Sequence, residues 1–122
     1  MSTRIIYDGM DLQNAEYEKT NEIEKAQNDS IAAGIAFVTA ERDYAITRKN
    51  IRVALMAQGY STSAADKRAD ESDEVIEAKY QMGVAKVLYE GAKERINITK
   101  LEIRVLENQI SREFGNKYGG GL

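Results

Sequence analysis

The chain has no cysteine, no histidine, no tryptophan and no proline. Without cysteine there are no disulfides and no thiolate chemistry. Without histidine the usual general base and the commonest transition-metal ligand are both missing. Nucleophile triads therefore lack their imidazole, and the Glu-x-x-His pairs of helical di-iron sites cannot be built. No Gly-x-Gly-x-x-Gly or Walker sequence precedes a helix, and Gly119-Gly120-Gly121 falls at the end of the chain. Together these absences exclude most enzyme classes and predict a protein without cofactor or metal.

Long apolar runs are also lacking. No stretch approaches the length needed to cross a bilayer, and Met1 to Leu12 lacks the basic start and apolar core of a signal peptide. No strongly basic flank accompanies an apolar face, so membrane-surface binding is not expected either. A cytoplasmic protein is the expectation. At 122 residues, with 43% apolar and 30% charged side chains, the chain has the composition of one small globular or coiled domain.

The absence of proline permits long uninterrupted helices. From Val84 onward, Leu88, Ala92, Ile96, Thr99, Ile103, Leu106, Ile110 and Phe114 recur at steps of three and four, the spacing of a helix seam. A first helix is expected from an N-cap at Asp11, with Glu16 and Glu18 suiting its positive end. Its apolar positions include Leu12, Ile23, Ala26, Ile31, Ile35, Val38, Ile51 and Leu55. Asn28-Asp29-Ser30 and Gly34 offer a place for a break, but the pattern favours one continuous helix.

Gln58-Gly59-Tyr60-Ser61-Thr62-Ser63 is the main punctuation. Gly59 suits a left-handed C-cap, and Ser63 with Asp66 resembles a capping box. Ser72 is an alternative cap that leaves Ala64 to Glu71 as a separate turn. A connection this short makes its two helices antiparallel neighbours. The second helix is expected to stop at Gly115-Asn116.

The fold class read from these signals is all-α: an elongated antiparallel helical hairpin over residues 11–114. An extended tail precedes it over 1–10, with Thr3 to Tyr7 β-like, and a flexible tail follows over 115–122. Two helices alone leave much of their seams open, so self-association is expected, most simply a dimer forming a four-helix bundle or coiled-coil oligomer. The seam residues are Ile31, Ile35, Ile51 and Leu55 against Leu88, Ile96, Ile103, Leu106, Ile110 and Phe114.

Charge supports the antiparallel pairing. Residues 1–40 carry three basic and seven acidic groups, 41–60 four and two, 61–79 three and six, and 80–122 seven and five. Folding at Gly59 sets Arg48, Lys49 and Arg52 opposite Asp70, Asp73 and Glu74, and sets Glu18 and Glu22 at the level of Lys100 and Arg104. Asp70, Glu74 and Glu77 share a helical spacing that fits a solvated acidic face better than a cation site.

The functional expectation is a non-enzymatic interaction protein, an oligomeric adaptor, scaffold or inhibitor of a protein partner. The turn residues Tyr60, Ser61 and Thr62 are candidate partner contacts at its tip. The alternative is a nucleic-acid-binding accessory protein of recombination or replication that uses Arg48, Lys49, Arg52, Lys100 and Arg104. The layout is similar to the small secreted helical hairpins of the WXG type, but Gln58-Gly59-Tyr60 stands where those carry Trp-x-Gly, and their function is not carried over.

Overall fold

The computed structural model describes the backbone of residues 9–118 and the side chains of residues 10–114. Three helices make up this part: α1 (Gly9–Ala57), α2 (Thr62–Glu71) and α3 (Asp73–Tyr118). The β-like Thr3 to Tyr7 segment and the Gly119–Gly121 run lie outside the described residues. α1 is continuous through Asn28, Ser30 and Gly34, and it starts before Asp11, which falls in its first turn instead of capping it.

α1 ends in a Schellman arrangement. The Tyr60 N–H donates to the Leu55 carbonyl at 3.2 Å and the Gly59 N–H to the Met56 carbonyl at 3.0 Å, while Gly59 adopts φ 99°. Ser61 then opens α2: its backbone is extended, and its Oγ accepts from the Ala64 N–H at 3.2 Å. The cap is thus Ser61, not Ser63.

Ser72 separates α2 from α3 and serves both. Its N–H and Oγ donate to the Ala69 carbonyl at 3.1 and 2.7 Å, and the same Oγ accepts from the Val75 N–H at 3.3 Å. With φ −72° and ψ 144° it breaks the helical backbone for one residue. α3 continues through Gly115 and Asn116 to Tyr118, past the expected stop. Glycine weakens a helix by roughly 1 kcal/mol but does not forbid it, and no proline follows to enforce an end.

Contacts divide the chain into two compact units. The first comprises Asp29–Ala92. Within it the less exposed positions of α1 are Ser30, Ala33, Gly34, Phe37, Ala40, Tyr44, Thr47 and Ile51, and those of α3 are Val75, Ala78, Met82, Ala85, Tyr89 and Ala92. On both helices the spacing alternates between three and four, a heptad seam. Alanine recurs every seven residues, at 33 and 40 and at 78, 85 and 92. Such small residues let helix backbones approach closely. The approach is closest at Gly34, where an added Cβ would lie 3.1 Å from Tyr89 Cε1. Phe37 meets the same ring at a centroid distance of 6.1 Å. At the α2 end the fully buried Ala65, Ala69 and Val75 supply the core.

The other unit pairs the start of α1 with residues from Lys93 onward. Leu12 and Ala26 are buried, and Ile23, Ile96, Ile103, Leu106 and Ile110 are half-buried. Thr99 is the buried polar residue of this seam, and its hydroxyl is satisfied by donating to the Arg95 carbonyl at 2.9 Å. Lys19 Nζ lies 2.7 Å from Glu102 Oε2 and 3.0 Å from Glu22 Oε2. Hydrogen bonding to Glu102, then to Glu22, holds the Lys19 ammonium above its ordinary pKa.

Candidate interaction surface

Ile51, Leu55, Ile96, Ile103, Leu106 and Ile110 are all half-buried. Three other seam residues lie on a different face of the chain. Ile31, Ile35 and Leu88 are 62%, 60% and 63% exposed and face away from the contacts within the chain. Ser30, Ala33, Phe37 and Tyr89 take the inward positions instead. Phe114 is also among the exposed large apolar residues. The physical reason is a second apolar stripe on each helix. In the Asp29–Ala92 unit Ile31, Ile35, Val38, Val87 and Leu88 are turned outward, while alanine, serine and glycine occupy much of the inner seam at the same levels.

On α3 the outward stripe is formed by Ile76, Tyr80, Val84, Val87 and Leu88, with exposures from 37% to 68%. Tyr80, Gly83, Val84, Val87 and Leu88 line an open, almost wholly apolar groove of about 460 Å³. α1 carries its own outward stripe at Ile31, Ile35, Val38, Ile46, Val53 and Met56. Monomeric soluble proteins rarely leave contiguous apolar patches larger than a few hundred Å² in water.

A second, polar feature lies where α1 meets α2. Arg48 grips Asp70 with two bonds, Nε to Oδ1 at 2.7 Å and Nη2 to Oδ2 at 3.4 Å, and its Nη2 is 3.8 Å from Asp66 Oδ1. Arg52 Nε is 2.7 Å from the same Asp66 oxygen, although neither atom has an aligned hydrogen bond. Hydrogen bonding to Arg48 holds the Asp70 carboxyl below its ordinary pKa, and the reciprocal bond raises that of Arg48. Tyr44, Arg48, Asp70, Val75, Ile76 and Lys79 border a cleft of about 380 Å³ beside this cluster.

These pairs bear on the basic candidates. Arg48 and Arg52 face carboxylates in the same unit, and Lys49 is exposed. Lys100 and Arg104 are exposed in the other unit. Arg48 does meet Asp70, as the charge pattern implied, whereas Arg52 meets Asp66 one turn from the expected partners. Lys19–Glu102 carries the opposite sense to the expected pairing of Glu18 and Glu22 with Lys100 and Arg104. At the tip, Ser61 is engaged in capping and the Arg68 guanidinium lies 4.4 Å over the Tyr60 ring, a cation–π contact; Thr62 opens α2 and is exposed.

Among the described residues no group of three or more Asp or Glu is placed to hold a metal ion, and no helix is long and apolar enough to cross a membrane. No protein-family model matches this chain, and neither a curated protein nor a solved structure matches it.

Proposed function

We propose that the chain is a non-enzymatic interaction protein of the cytoplasm: an antiparallel helical hairpin that self-associates into a four-helix bundle or coiled-coil oligomer and serves as an adaptor, scaffold or inhibitor of a protein partner. The observation that carries this reading is the inverted distribution of apolar bulk. Val87, Leu88, Ile31 and Ile35 are each at least 60% exposed, while Ala33, Ala40, Ala78 and Ala85 occupy the inner seam. An outer stripe of this kind gains stability when another helix covers it, at roughly 25 cal/mol per Å² of apolar surface removed from water.

The test is light scattering after size exclusion, with a labelled single-stranded oligonucleotide added at low and moderate salt. A discrete oligomer that ignores the oligonucleotide supports the proposal. Salt-sensitive coelution of a monomer with the oligonucleotide would overturn it and assign the basic residues to nucleic acid.

A further inference from the structure

We infer that the outward stripe of α3 docks on the same stripe of a second copy, antiparallel, about a twofold axis between Ala85 and Lys86. This deepens the self-association reading and rests on it. On a helix advancing about 100° per residue, Ile76, Tyr80, Gly83 and Gly91 all lie within about 40° of the direction of Val87. The stripe is a Gly-x-x-x-Val-x-x-x-Gly ridge, with Tyr80, Val84 and Leu88 along one side.

The two glycines distinguish this face from plain solvent-exposed helix. Gly34 has a reason within the chain, since Tyr89 occupies the space its Cβ would take. Gly83 and Gly91 have none: a Cβ on either meets nothing within 4 Å. Glycine weakens a helix interior relative to alanine, so two in one stripe are uncompensated in the single chain. A neighbour supplies the compensation. With the axis between Ala85 and Lys86, Tyr80 of one copy lies over Gly91 of the other, and Val87 enters the gap at Gly83.

Charge selects the orientation. Lys79 and Glu90 border the same edge of the stripe, and antiparallel pairing brings each within about 3 Å, along the axis, of its opposite charge in the second copy. A parallel pairing instead sets this edge against the opposite edge of the second copy, so Lys79 and Glu90 do not meet in it. The exposures of Ile76, Tyr80, Val84, Val87 and Leu88 correspond to roughly 500 Å² of accessible surface per chain, so full cover of the stripe in both copies removes at most about 1,000 Å², the lower bound for a specific interface. Because the twofold is isologous, the assembly closes as a dimer.

The absence of native cysteine makes the test direct. Full-length chains carrying Tyr80→Cys are mixed with chains carrying Gly91→Cys under mild oxidation, and light scattering of the unmodified chain is recorded alongside. The expected result is a disulfide between the two variants in preference to either with itself. Gly91→Ala provides a second readout, with a weaker dimer expected, at least tenfold in Kd. An oligomer without the Tyr80→Cys/Gly91→Cys cross-link, or one unaffected by Gly91→Ala, overturns this geometry but leaves self-association standing. A monomer at concentrations of tens of micromolar overturns both.

Discussion

Tyr89 fills the space that a side chain on Gly34 would need, its Cε1 being 3.1 Å from the position of that missing Cβ. Two sequence features that look unrelated, a helix-interior glycine and an aromatic 55 positions later, are thus one packing unit. Gly34→Ala gains helix propensity of about 1 kcal/mol but forces the Tyr89 ring aside, for which overpacking costs of about 1–3 kcal/mol are typical. The expected net effect is a destabilised chain. In a Tyr89→Ala background the same Gly34→Ala change is expected to stabilise, and a double-mutant cycle by urea unfolding reads the difference. Equal effects in both backgrounds would show that the two residues do not share the space.

Ser72 is the single residue that ends α2 and begins α3. Ser72→Ala removes a cap and is expected to lower stability by about 1 kcal/mol, whereas Ser72→Asp retains an acceptor for the first turn of α3 and recovers most of the loss. Thermal melts of the two variants against the parent chain measure this. Equal losses in both would show that Ser72 acts through its own hydroxyl bond to Ala69 and not through the cap.

The Arg48–Asp70 pair makes stability depend on pH in a defined direction. Asp70 titrates below its ordinary value of 3.8 when folded, because Arg48 bonds the charged form. Its contribution is therefore complete above that ordinary value and is lost as the pH falls through the lower folded value. The difference in melting temperature between the parent chain and Asp70→Asn is expected at neutral pH, to shrink below pH 3.8, and to shrink with added salt. A difference that persists unchanged in strong acid would rule the ion pair out as its source.

The parts of the fold that were legible in the sequence are those where one signal has no competitor. Gly59 between two polar flanks forms the left-handed cap because only glycine takes φ 99° without strain. The helical spacing of large aliphatics coincides with the half-buried face at Ile96, Ile103, Leu106 and Ile110. Ile31, Ile35 and Leu88 point away from it because residues one or two positions away, Ser30, Ala33, Phe37 and Tyr89, form the contact within the chain. The signal that finds the inner seam is the seven-residue recurrence of alanine at 78, 85 and 92, read independently of hydrophobic bulk. The short α2 helix is ambiguous because Ser63 and Ser72 both read as caps, whereas the structure caps it with Ser61. Charge blocks located the α1–α2 ion pairs to within a turn. They failed for Lys19 and Glu102 because both signs occur at that level of each helix.

The inner and outer stripes predict opposite responses to the same chemical change. Ala85→Glu places a charge in the half-buried seam and is expected to cost several kcal/mol, with loss of helicity on mild heating. Val87→Glu, two residues away on a side chain 68% exposed, is expected to leave the melting of the isolated chain within about 0.5 kcal/mol of the parent. Circular dichroism at low concentration makes the comparison. Similar losses from both would show that the two stripes are not distinct.

The most direct test of the central claim is the molar mass of the Val87→Glu chain by light scattering, measured beside the parent at the same concentration. The account predicts a discrete oligomer for the parent and a helical monomer for the variant. Equal masses for the two chains would contradict it, because the outward stripe of α3 would then take no part in association.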